Sequence, residues 1–138
     1  MYRKILVGYD GSAAGRKAFD TALGLAERHG AELYVLSVAR GLEVPDEVEA
    51  EAVIENSRRY HRGLLAELRA GSAKKNVKAH YEVAVGHPAE QIIYHADKYE
   101  VDVIVVGDRG HSKLRRLLLG SVSKQVTEHA GRPVLVAR

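Results

Sequence analysis

Apolar and polar positions along the chain follow two different periods in alternating blocks. Residues 4–8 (KILVG), 32–38 (ELYVLSV) and 101–106 (VDVIVV) are short aliphatic or β-branched runs, each ending near a glycine or a polar turn. Runs of that length and continuity predict strands buried on both faces, as in a parallel sheet. Residues 77–85 (VKAHYEVAV) alternate more strictly and suit a strand nearer a sheet edge. Residues 133–137 (PVLVA) give a fifth strand, with Pro133 at the start, where a missing N–H is tolerated.

The intervening segments carry helical spacing. Ser12 is placed to cap a helix in which Ala18, Ala22, Leu25 and Ala26 share a face, with Gly30 as its C-terminal stop. Residues 46–70 predict a long charged helix with Val53, Tyr60, Leu64 and Leu68 on one stripe. Pro88 suits a first helical position and is followed by Ile92, Ala96 and Tyr99 on one face. A last helix is expected from about Ser121, with Val122, Val126, His129 and Ala130 inward. Residues 40–46 read as a surface connection. Strands alternating with helices imply one open five-stranded parallel sheet covered on both faces, and no linker, repeat or low-complexity tract divides residues 1–138.

Composition narrows the function classes. The chain has 138 residues and is 46% hydrophobic, enough to bury one ordinary core. No apolar run approaches the roughly 20 residues that span a bilayer. The first apolar run is cut short by Gly8-Tyr9-Asp10-Gly11, unlike a secretory leader, so a cytoplasmic location is expected. The absence of cysteine removes disulfides, thiolate nucleophiles and thiolate metal sites. A formal charge of +3 is too mild to imply nucleic-acid binding, and the basic residues lack interleaved aromatics. The histidines are scattered without metal-ligand spacing.

The candidate chemistry lies between Gly107 and Ser123. A buried strand ends at Gly107; Gly107 and Gly110 frame a tight turn; Gly120-Ser121 then opens a helix. Glycines let backbone approach a ligand, and a helix N-terminus offers free N–H groups and a positive dipole end to an anion. Ser121 and Ser123 add hydroxyls. The same features also arise for purely structural reasons, and neither the dinucleotide nor the Walker signature is present. Asp10, after the first strand, bears on this choice. With strands one to three wound to one side and four and five to the other, the order is 3-2-1-4-5 and strands one and four are neighbours. Their carboxyl ends then form the topological switch point where such sheets bind ligands, with Asp10 facing Gly107. A turn residue ahead of a helix cap is the plainer alternative for Asp10.

Three features in order resemble the universal stress protein family. They are the opening Ile5-Leu-Val-Gly-Tyr-Asp10-Gly-Ser12, the pattern Gly107-x-x-Gly110 followed by nine residues and Gly120-Ser121, and the ending Arg132-Pro-Val-Leu-Val136. The resemblance covers essentially all of residues 1–138 as a single domain, least diagnostically over 42–72. It implies a Rossmann-like fold of the adenine nucleotide alpha hydrolase type and an ATP-binding regulatory or stress-response module. It places Tyr9 and Asp10 at the adenosine end and Val38 in the adenine pocket. It wraps ribose and phosphates with Gly107, Arg109 and Gly110, and holds the phosphates with Gly120, Ser121, Val122 and Ser123. It is compatible with Mg or Mn bridging the phosphates. It implies a homodimer through the last strand, where an apolar sheet edge has a physical motive to pair.

Alternatives remain open at this stage. Lys113, Arg115, Arg116 and Lys124 are either a polyphosphate clamp or a solvated basic surface, and His111 is either a phosphate contact or an exposed loop residue. A slow ATPase or phosphotransferase would need a base and charge neutralisation, and Asp10 and Asp108 are the carboxylates near the crevice. An AMP- or cyclic-nucleotide-binding module shares the adenosine end. A receiver-type signalling domain would need an acidic pair after strand one and an aspartate after strand three; Asp10 is alone and strand three ends in VAVG at 83–86.

Overall fold

The computed structural model describes residues 2–40, 47–109 and 119–138, with the side chains of 47–50 excepted. Nine elements alternate: β1 (Lys4–Gly8), α1 (Ala13–His29), β2 (Glu32–Ala39), α2 (Glu47–Ser72), β3 (Ala79–Val85), α3 (Pro88–Tyr99), β4 (Val103–Gly107), α4 (Ser121–His129) and β5 (Val134–Ala137). The strands form one sheet in the order β3-β2-β1-β4-β5, and every neighbouring pair is parallel. The expected order 3-2-1-4-5 is therefore the observed one. The connection read over residues 40–46 lies outside the described residues beyond Arg40.

Alternation along the strands explains the two layers of helices. Ile5, Val7, Leu33, Val35, Val103 and Val105 point to one face, where they bury Ala18, Phe19, Ala22 and Ala26 of α1 and Leu65 and Leu68 of α2. Leu6, Leu36, Ile104 and Val106 point to the other, against Ala89, Ile92 and Ala96 of α3 and Val126 of α4.

The helix ends follow their local chemistry. The Ser12 hydroxyl accepts from the Gly15 N–H at 3.0 Å and caps α1, and Gly30 ends it at φ 61°. Pro88 stands in the first turn of α3. The long helix runs to Ser72, and of its expected stripe Leu68 is buried whereas Val53 and Tyr60 are exposed. In α4 the expectation fails for His129 alone. His129, its last residue, is exposed because the buried stripe is centred on Ser123 and Val126; Ala130, just past the helix, does pack against the core as expected. Among the described residues no helix is long and apolar enough to cross a membrane.

At the amino end of the sheet, Asp102 ties β4 to β1. One of its carboxylate oxygens accepts from the Arg3 N–H at 2.7 Å and the Lys4 N–H at 3.0 Å. These bonds favour the charged form and hold the carboxyl below its ordinary value of 3.8. A depressed carboxylate adds stability above that ordinary value and loses it as pH falls through the lowered one. Asp102→Ala should therefore melt below the parent at neutral pH. The gap should close on acidification below about pH 4, as followed by circular dichroism.

Candidate functional site

The register of β1 with β4 (Ile5↔Val103 to Val7↔Val105) brings the carboxyl ends of these central strands side by side. Here the chain reverses its winding: β2 and β3 lie to one side, β4 and β5 to the other. A crevice of about 720 Å³ opens at this point, within the size range of small-molecule sites.

Two glycines allow the elements around it to approach closely. A Cβ on Gly107 would stand 2.7 Å from the backbone C and O of Ala14, in the first turn of α1. A Cβ on Gly120 would stand 2.9 Å from Cα of Arg109. The Gly120 N–H donates to the Asp108 carbonyl at 2.6 Å, and the Asp108 N–H donates to the Ala137 carbonyl at 2.9 Å. The end of β4 and the start of α4 are thus pinned together.

The two helix N-termini at the crevice differ. In α1 the Ser12 hydroxyl occupies the Gly15 N–H, and Asp10 Oδ1 in turn accepts from both the N–H and the hydroxyl of Ser12. In α4 the capping position is Gly120, which has no side chain to do this. Among the described residues, the first-turn N–H groups of Ser121, Val122 and Ser123 therefore remain as donors with the positive end of the helix dipole behind them. The Ser123 hydroxyl is buried and lies 2.9 Å from the Asp108 carbonyl and 3.0 Å from that of Gly120. Its hydrogen is directed at the protein, so Ser123 offers a ligand its backbone N–H. Ser121 is exposed at the crevice.

Of the residues singled out in the sequence, Tyr9, Asp10, Val38, Gly107, Arg109, Gly120, Ser121, Val122 and Ser123 all line this crevice. Gly110 lies outside the described residues, as do His111, Lys113, Arg115 and Arg116. Lys124 is exposed and is not part of the lining. The Tyr9 ring packs against Phe19 at 6.5 Å between centroids, and burial raises its hydroxyl pKa above 10.0.

The wall contributed by α2 was not legible in the sequence. Ser57, Tyr60 and His61 line the crevice together with Val38 and with Arg40, just past the end of β2. His61 Nδ1 lies 2.6 Å from the hydroxyl of Ser37, a fully buried residue of β2. Burial lowers the His61 pKa below 6.5, against the opposing pull of Asp10, and favours the neutral ring. A buried serine in the run ELYVLSV was the available signal, since such a hydroxyl requires a partner.

Apolar strand ends, a glycine-pinned turn and helical N–H groups at a switch point are features that suit an anionic ligand. The model of the Universal stress protein family matches residues 1–138. The chain belongs to this family. It is 36% identical to the universal stress protein YxiE of Bacillus subtilis over the full length of both. Among solved structures it superposes on the universal stress protein UspA of Lactobacillus plantarum with a TM-score of 0.90. That pair is 27% identical, covering 99% of this chain and 98% of the other. It also superposes on a universal stress protein crystallised in complex with cAMP, with a TM-score of 0.72 and 26% identity over 99% of this chain and 97% of that one. Among universal stress proteins, then, this chain has the family's sheet order, and of the residues that carried the resemblance Gly8, Tyr9, Asp10, Gly107, Gly120 and Ser121 line its crevice.

Proposed function

We propose that this universal stress protein binds ATP in the β1–β4 crevice and acts as a nucleotide-dependent regulatory module. The observation that carries the reading is the N-terminus of α4, which has no side-chain cap among the described residues and lines one crevice with Tyr9 and Asp10. The triphosphate lies on the N–H groups of Ser121, Val122 and Ser123, with Gly107, Arg109 and Gly110 around ribose and phosphates. The adenosine end lies toward Tyr9, Asp10 and Val38. The apolar ends of β1 and β2 at Gly8, Leu36 and Val38 suit the flat face of a base. A relative crystallised with cAMP supports an adenosine end in this family's fold.

Binding rather than turnover suits the carboxylates. Asp10 Oδ1 already accepts two hydrogen bonds from Ser12, which fixes the loop. Among the described residues no group of three or more His, Cys, Asp or Glu is placed to hold a metal ion. A Mg or Mn ion accompanying the nucleotide would be held chiefly by the phosphate oxygens.

Titration calorimetry with ATP, cAMP and GTP in millimolar magnesium tests the reading. Saturable binding of ATP at one site per chain, with GTP much weaker, is expected. Heat changes no larger than dilution for all three would overturn it.

The proposal extends to a cytoplasmic homodimer joined along β5. In the parallel pairing with β4, the Pro133 and Ala137 carbonyls accept from the N–H groups of Ile104 and Asp108, which turns the backbone of Val134 and Val136 outward. Val136→Pro removes an outward donor without touching the β4 ladder. Light scattering should show a dimer for the parent and a monomer for the variant; equal masses would contradict the interface.

A further inference from the structure

The opposite edge of the sheet carries a second built surface, independent of the nucleotide crevice. A groove of about 770 Å³ runs between α2 and β3. Its α2 wall holds Arg58, Arg62 and Arg69 above Leu65, Ala66 and Ala70. Its β3 wall holds Tyr81, Val83 and Val85.

The hydrogen-bond register shows what that strand leaves unpaired among the described residues. The Leu33 N–H takes the Lys78 carbonyl at 2.9 Å and the Gly86 N–H donates to the Ala39 carbonyl at 2.9 Å. With Leu33 opposite Ala79 and Ala39 opposite Val85, the even-numbered residues His80, Glu82 and Ala84 turn their backbone toward β2. The odd-numbered Tyr81, Val83 and Val85 therefore turn their N–H and C=O groups outward, along the groove. Open strand edges of this kind are templates for an added strand.

The arginines define the chemistry of that strand. Arg58 and Arg62 are one helical turn apart, about 6 Å of rise, close to the roughly 7 Å between alternate side chains of an extended chain. Both already engage a carboxylate: Glu55 lies 2.6 Å from Arg62 and 3.9 Å from Arg58. Their side chains stay 49% and 57% exposed, leaving further donors of each guanidinium for a second carboxylate. Arg69, about two helical turns further along the same stripe, stacks over the Tyr81 ring at 4.8 Å. The acidic lining residue of β3, Glu82, turns to the opposite face and accepts the Tyr99 hydroxyl hydrogen.

We propose that this groove binds an extended acidic segment of a partner protein. The segment adds to β3 as a sixth strand through Tyr81, Val83 and Val85, and sets alternate carboxylates on Arg58 and Arg62. A fluorescent heptapeptide of alternating Val and Glu, and its Val/Gln counterpart, are titrated against the whole chain by anisotropy at low salt. The Glu peptide should bind saturably, and the Gln peptide at least about tenfold more weakly. Arg58→Glu with Arg62→Glu should cost a similar factor, as should Val83→Pro, which removes an outward N–H. Amide exchange at Tyr81, Val83 and Val85 should slow on binding. The doubly charge-reversed protein is surface-substituted, so circular dichroism should show it folded. Equal affinity for the two peptides, or no loss in the Arg58/Arg62 variant, would overturn the proposal. So would self-association through β3 that the peptide does not displace, seen by sedimentation.

Discussion

Gly120→Val will abolish nucleotide binding while leaving the sheet formed. The Cβ alone would stand 2.9 Å from the Arg109 Cα, and the nearest group is backbone, which cannot rotate away. To admit it, the start of α4 must move off the end of β4. That breaks the 2.6 Å bond from the Gly120 N–H to the Asp108 carbonyl and re-aims the N–H groups of Ser121, Val122 and Ser123. Donors displaced from a phosphate lose most of their worth, since hydrogen bonds weaken steeply with distance and angle. A loss of at least about a hundredfold in ATP affinity is expected, on the order of 3 kcal/mol. The contact lies at the rim of the sheet, away from Ile5, Val7 and Phe19, so the far-ultraviolet spectrum should stay that of the parent. Calorimetry and circular dichroism on one preparation check both halves. Parent-like affinity in a folded variant would show that phosphate does not sit at α4.

Phe19→Ala carries the largest expected effect on stability. Phe19 is 1% exposed and heads the fully buried side chains of the layer formed by α1 and α2. Truncation leaves a cavity as well as lost contact, which costs about 3–5 kcal/mol for a phenylalanine. In a domain of this size that lowers the melting temperature by on the order of 10 °C. The ring also backs Tyr9, so ATP affinity should fall by a smaller factor than in Gly120→Val. Urea unfolding measures the first effect; a loss under about 1 kcal/mol would be that of a surface substitution, not a core one.

The strands were legible because a parallel sheet buries both faces and leaves continuous apolar runs: KILVG in β1 and VIVV within β4. The edge position of β3 was legible from its alternation for the same reason. The glycine constellation was legible because close approach leaves few other residue choices at Gly107 and Gly120. What lies on α2 was not. A helical stripe has the same spacing whether it covers core or crevice, and only packing against β2 and β3 decides that Leu68 is buried while Tyr60 lines the site. His129 was misplaced because the buried stripe of α4 is centred on Ser123 and Val126 and runs on to Ala130, which leaves His129 on its exposed flank. The role assigned to the Ser123 hydroxyl also changed, since it bonds inward to the turn that it was expected to decorate.

Amide chemical shifts of the isotope-labelled chain on titration with ATP and magnesium would locate the nucleotide. The largest saturable shifts should fall on Gly120, Ser121, Val122 and Ser123, with a second group at Tyr9, Asp10 and Val38. Saturable shifts confined to other parts of the molecule, or none at millimolar ATP, would contradict ATP binding in the β1–β4 crevice.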